Sequence, residues 1–170
     1  PIVTNLSTSL ISEKIASEYN TPFIRSSVGE INVVNMMKKK CALIGGEGNG
    51  GVILAESHLG RDSLVGATII LNLLSNESLT INELFNLLPK FYIKKSSLHL
   101  TDNTNIYIEK LKELYSNENI NEDDGLKIIR DNEWIHIRKS NTEPILRIIA
   151  ESKSIERSKK LIEEIKNEVK

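Results

Sequence analysis

Two short segments concentrate the residue types that could do chemistry. The first, Gly45-Gly46-Glu47-Gly48-Asn49-Gly50-Gly51, holds five of the nine glycines in the chain. Glycine serves where backbone must turn through φ > 0 or approach a ligand closely. Glu47 and Asn49 stand two positions apart, a spacing that sets both side chains on one side of an extended turn. A carboxylate accepts hydrogen bonds from two adjacent hydroxyls, and a carboxamide both donates and accepts. Gly46, Glu47, Gly48 and Asn49 therefore form a candidate site for a polyol such as a sugar ring. A tight strand connection built on glycine is the competing reading. Nucleotide-binding loops fail on context, because Val52-Ile53-Leu54 leaves the window extended where a helix is required.

The second segment is Arg138-Lys139-Ser140-Asn141-Thr142-Glu143-Pro144, with Arg147 beyond it. It joins two predicted strands and is held at both ends. A guanidinium fork, an ammonium, two hydroxyls, an amide and free backbone N–H groups suit an anion such as phosphate. The alternative is a polar hairpin loop.

Elements must position these loops, and the sequence predicts two sets of them. Strands are expected at 2–5, 23–25 and 42–44, alternating with helices at 10–19, 30–39 and 62–74. The last helix, Asp62 to Leu74, is apolar on nearly all sides and is expected to be core, with Asp62 at its start. Thr80 and Glu83 form a capping-box pair for a helix that stops before Pro89. Residues 1–90 thus read as an α/β domain with strand–helix alternation and a mixed sheet. Residues 91–170 read as a smaller α+β domain with an antiparallel sheet. Its parts are a linker and first strand over 90–103, a helix over 105–115 and a polar loop over 116–124. A hairpin of 126–130 with 134–138, a strand at 145–150 and a closing amphipathic helix from Ser154 follow.

The 22 basic and 23 acidic residues give a net charge of −1, which argues against nucleic-acid and polybasic membrane partners. A single cysteine, Cys41, excludes an internal disulfide framework and a cysteine-rich zinc site. No apolar run approaches the length of a membrane span, and no secretory signal is visible, so a soluble, cytoplasmic protein is expected. No metal-ligand spacing is found: His99 and His136 are isolated, and Asp123-Asp124-Gly125 lacks the alternating carboxylates of a calcium loop. Ser57-His58 lacks a third group for nucleophilic catalysis.

Together the two loops resemble the phosphohexomutase superfamily, which includes phosphoglucosamine mutase, phosphomannomutase and phosphoglucomutase. Gly46-Glu47-Gly48-Asn49-Gly50 looks like the sugar-binding loop of its third domain. Arg138-Lys139-Ser140-Asn141-Thr142-Glu143-Pro144 looks like the phosphate-binding loop of its fourth. Val28-Gly29-Glu30, Ile44-Gly45-Gly46 and Leu59-Gly60-Arg61-Asp62 resemble the flanking segments. Members interconvert hexose 1- and 6-phosphates by intramolecular phosphotransfer, using a phosphoserine in the first domain and Mg²⁺ held by an Asp-rich loop in the second. The resemblance implies that Glu47, Asn49, Gly46 and Gly48 recognise sugar. It assigns phosphate to Arg138, Ser140, Asn141 and Thr142, with Lys139 and Arg147 beside them. Many members have Ser in place of Asn49 and His in place of Gly51. Neither a phosphoserine loop nor a metal loop occurs here, so the chain looks like the C-terminal half of a mutase, without catalytic or metal-binding residues and inactive alone. Its expected partners are a hexose phosphate and the N-terminal domains of the same enzyme. The alternative is a stand-alone, non-catalytic sugar-phosphate-binding module.

Overall fold

In the computed structural model, which describes residues 1–99, 104–140, 143 and 145–169, the chain divides into two units, Pro1–Lys90 and Phe91–Lys170. The first unit is built from β1 (Ile2–Asn5), α1 (Leu10–Glu18), β2 (Phe23–Ser26), α2 (Glu30–Lys40), β3 (Ile44–Glu47), β4 (Gly51–Leu54), α3 (Ser63–Glu77) and α4 (Ile81–Leu87). Its sheet runs β2-β1-β3-β4. The β1 strand is parallel to β2 and to β3, while β4 returns antiparallel to β3. Helix α2 packs Val33, Val34 and Met37 onto one sheet face, against Val3 and Ile53.

The third strand lies two residues later than the expected 42–44. Helix α2 ends with Cys41 in the left-handed region at φ 51°, and the Ala42 N–H bonds the Met37 carbonyl at 2.9 Å. Residues 41 and 42 are thus consumed in closing the helix. Helix α3 starts where expected, with the Asp62 carboxylate accepting from the N–H groups of Leu64 (2.8 Å) and Val65 (3.0 Å). Those N–H groups, that of Val65 foremost, hold the Asp62 carboxyl below its ordinary range. The expectation that α3 is core is overturned: none of its residues is buried, and Leu64 and Leu71 are 77 % and 66 % exposed. Helix α4 carries the Thr80–Glu83 capping box and likewise exposes Phe85 and Leu87. The all-round apolar pattern of α3 resembles that of a core helix because periodicity reports what a helix could bury, not what is at hand to cover it.

The second unit comprises β5 (Tyr92–His99), α5 (Thr104–Leu114), β6 (Asn119–Asn121), β7 (Leu126–Arg130), β8 (Glu133–Lys139), β9 (Ile145–Ser152) and α6 (Ile155–Val169). All pairings in the order β5-β9-β8-β7-β6 are antiparallel. Leu126, Ile128, Ile135, Ile137, Leu146 and Ile148 face Ile108 and Leu111 of α5 and Leu161 and Ile165 of α6 in one core. The β7–β8 hairpin turns at Asp131-Asn132, with Asn132 at φ 60°. Strand β6, inside the expected polar loop, is too short and too polar to show in the sequence. On the sheet face away from the core, Lys127 lies 4.3 Å from the Trp134 ring and Trp134 Nε1 donates to Glu151 at 2.6 Å.

Candidate functional site

In an open α/β sheet, ligands collect outside the carboxyl ends of parallel strands, where the strand order reverses. Here that point lies between β1 and β3, which end at Asn5 and Glu47. The two side chains meet there: Asn5 Nδ2 donates to Glu47 Oε1 at 2.9 Å. Asn5 is fixed in turn by its Oδ1, which accepts from the Ser7 N–H and the Thr8 hydroxyl, each at 3.0 Å. The Gly29 N–H, at the start of α2, adds a second donor to Glu47 Oε1 at 3.3 Å. Arg61 Nη1 approaches Glu47 Oε2 at 3.3 Å, and only 7 % of the Glu47 side chain is exposed.

Arg61 also holds Glu30: its N–H and its Nε donate to the two Glu30 oxygens at 2.8 Å each. These bonds, the backbone one first, hold the Glu30 carboxyl below its ordinary range. The Arg61 stem runs over Gly51, where a Cβ would meet its Cγ and Cδ. A side chain at position 51 and this placement of Arg61 are therefore mutually exclusive. Sequence alone assigns no role to Asn5, Gly29, Glu30 or Arg61, although Val28-Gly29-Glu30 and Leu59-Gly60-Arg61-Asp62 resemble the segments that flank the family's loops.

The glycine window is a β3–β4 hairpin as well as a candidate ligand loop. Residues 48–50 form its turn, with Gly50 at φ 92°. Expected alternation from Glu47 to Asn49 does not hold through that turn. Glu47 lines a depression of about 340 Å³ with Thr4, Thr8 and Gly46, whereas exposed Asn49 lines another of about 440 Å³ with Glu30 and Arg61. Asn49 Oδ1 accepts from the Gly51 N–H at 3.2 Å, bracing the turn. Gly48 packs against the backbone of Ser7 and Thr8, where a Cβ would come within about 3.0 Å.

In the second unit, Arg138 on β8 and Arg147 on β9 are directly opposite one another. Like charges in that register repel and are tolerated where anions lie close. The Asp124 carboxylate is 3.3 Å from Arg138 Nε, and Glu143 is 3.8 Å from Arg147 Nη2. Arg147 Nη2 also donates to the Ser140 hydroxyl at 3.2 Å, and the Ser140 N–H closes the loop onto the Ile145 carbonyl at 3.0 Å. The structure thus brings Arg138, Ser140 and Arg147 together. Lys139 pairs with core-facing Leu146 and lies on the opposite sheet face. Asn141 and Thr142 lie outside the described residues.

The Ser57 hydroxyl is 3.4 Å from His58 Nδ1, and the Asp62 carboxylate is 4.0 Å from that same nitrogen. A relay needs the acid and the nucleophile on different ring nitrogens, so these residues make no triad. Among the described residues no group of three or more His, Cys, Asp or Glu side chains could hold a metal ion.

Residues 1–92 match the model of phosphoglucomutase/phosphomannomutase α/β/α domain III, and residues 98–168 match that of the family's C-terminal domain. The chain belongs to the phosphoglucomutase/phosphomannomutase family. It is 34 % identical over 164 residues to a phosphoglucomutase/phosphomannomutase of Thermococcus kodakarensis, covering 95 % of this chain and 36 % of that one. It is 35 % identical over 169 residues to a phosphoglucosamine/phosphogalactosamine mutase of Sulfurisphaera tokodaii, covering 97 % and 37 %. The chain thus spans little more than a third of the length of these relatives. The fold matches that of an Aspergillus fumigatus N-acetylphosphoglucosamine mutase solved with GlcNAc-6P and magnesium, with a TM-score of 0.72, 13 % identity and coverage of 99 % and 38 %.

Proposed function

We propose that this chain is the substrate-gripping part of a phosphohexomutase that interconverts hexose 1- and 6-phosphates. The carrying observation is the paired Arg138 and Arg147, with Ser140, at the β8–β9 connection. Two guanidiniums and a hydroxyl on a closed hairpin suit the phosphate group that does not react. Glu47, at the switch point of the first unit, and Asn49, in the adjoining β3–β4 turn, hold the sugar ring. Both loops fix substrate by charge and hydrogen bonds; neither supplies a nucleophile. Phosphoryl transfer and Mg²⁺ belong to the part of a mutase beyond this chain's span, and the chain alone is inactive. The exposed apolar faces of α3 and α4 support the same reading, since they suit coverage by the remaining domains of the enzyme. The expected setting is cytoplasmic.

The test is calorimetric titration of the chain with glucosamine 6-phosphate, mannose 6-phosphate and glucose 6-phosphate. Millimolar binding is expected, because the contacts of the remaining domains are missing, and Arg138→Ala should weaken it at least tenfold, about 1.4 kcal/mol. Unchanged affinity in Arg138→Ala would overturn the phosphate assignment.

A further inference from the structure

Asp124 sits in the turn before β7, an element that no reading of the substrate loops includes. Its carboxylate lies 3.3 Å from Arg138 Nε, whose nitrogen is buried. Among the described residues this is the one ion pair of the Arg138 guanidinium, and its Nε makes no hydrogen bond. The adjoining backbone is locked in place from two directions. Gly125 has φ +81°, and a Cβ there would strike the Ile137 carbonyl oxygen and the Arg138 Cα and Cβ. The Asp124 carbonyl accepts from His136 Nε2 at 2.7 Å. A turn pressed this closely against β8 cannot shift without moving the base of Arg138.

The geometry points to Asp124 as a positioning residue, which holds the Nε edge of Arg138 so that the guanidinium faces an incoming phosphate in a fixed orientation. This rests on the assignment of Arg138 to phosphate. A guanidinium that must be ordered on binding loses rotamer entropy, and one ordered beforehand does not. The proposal carries a sign that separates it from simple charge balance. Asp124 neutralises part of the Arg138 charge, so removing its carboxylate makes the site more positive. Charge balance alone then predicts tighter anion binding, whereas positioning predicts weaker binding.

The experiment titrates the full chain with inorganic phosphate and with glucose 6-phosphate, using wild type, Asp124→Asn, Arg138→Ala and the double variant. Asp124→Asn is expected to weaken both ligands about five- to tenfold. In the Arg138→Ala background the same substitution should have no further effect, because the group it positions is gone. That double-variant comparison stands even if Asp124→Asn lowers overall stability, since both arms carry the same loss. Equal or tighter binding by Asp124→Asn, or an equal loss in the Arg138→Ala background, overturns the inference while leaving the phosphate site intact. Wild-type binding that is indifferent to Arg138→Ala overturns the site itself.

Discussion

His136 lies on β8, fully buried, with Nε2 donating to the Asp124 carbonyl at 2.7 Å. A carbonyl can only accept, so this bond fixes the neutral tautomer with the proton on Nε2. Burial disfavours the imidazolium and pushes the pKa down to about 4; Lys127 and Arg138 push the same way, and the Asp124 carbonyl and carboxylate oppose them. The unfolded chain takes up this proton near pH 6.5, and the folded chain does so only near pH 4. Between those values the unfolded state binds more protons, so stability rises with pH and is lost on acidification. The full difference amounts to about 3 kcal/mol, and about 2 kcal/mol of it is spent by pH 5. The assay is urea unfolding of wild type and His136→Gln at about pH 7.5 and pH 5. The sole tryptophan, Trp134, is buried on the same strand and reports on the second unit. At pH 7.5 the variant should be the less stable protein, having lost a fitted side chain. By pH 5 the gap should shrink by about 2 kcal/mol or reverse, because only wild type carries the proton penalty. A gap that does not change with pH, or a His136 resonance titrating near 6.5 in the folded protein, would refute the reasoning.

Two further outcomes follow from the first unit. Arg61→Met and Gly51→Ala should each weaken sugar-phosphate binding about fivefold, and together no more than either alone, because a Cβ at position 51 expels the Arg61 stem; calorimetry showing additive losses would separate the two residues. The exposed Leu64, Leu71, Phe85 and Leu87 should make the isolated chain bind a hydrophobic dye and self-associate, each side chain being worth roughly 1.5–3 kcal/mol when covered. Leu64→Lys with Leu71→Lys should reduce both in sedimentation and fluorescence, and a monomeric wild type without dye binding would count against a covering partner.

Elements with local signals were legible. The Asp62 cap and the Thr80–Glu83 box depend on residues within a few positions of one another, and each stands where its sequence places it. Composition also separated the two units, since strand–helix alternation gives way to polar–apolar alternation after Pro89. The candidate site was legible only in part, because its geometry comes from pairings distant in sequence. Glu47 is 42 positions from Asn5, and Arg61 is 31 from Glu30. Nothing local to the glycine window announces either contact. The exposure of α3 was hidden for a different reason, since an apolar surface reads the same whether its cover is near or absent.

Those distant contacts change what Glu47 can do. A carboxylate offers roughly four acceptor positions, two on each oxygen. Oε1 already receives Asn5 Nδ2 and the Gly29 N–H, and Oε2 faces Arg61. One position remains, on Oε2, so Glu47 in this arrangement can accept one further donor, where its chemistry alone suggested two. A vicinal hydroxyl pair would then need a second group, and Asn49 in the same hairpin is exposed, with its Oδ1 accepting from the Gly51 N–H. Under the proposed sugar-binding role, acceptance falls to Glu47 and donation to Asn49. Because Glu47 is fixed by three partners and Asn49 by one, the rigid contact lies at the strand end and the adaptable one in the turn. Under the proposed function, a substrate that presents first one end and then the other is better served by one fixed anchor and one yielding contact than by two fixed ones, which would favour a single orientation.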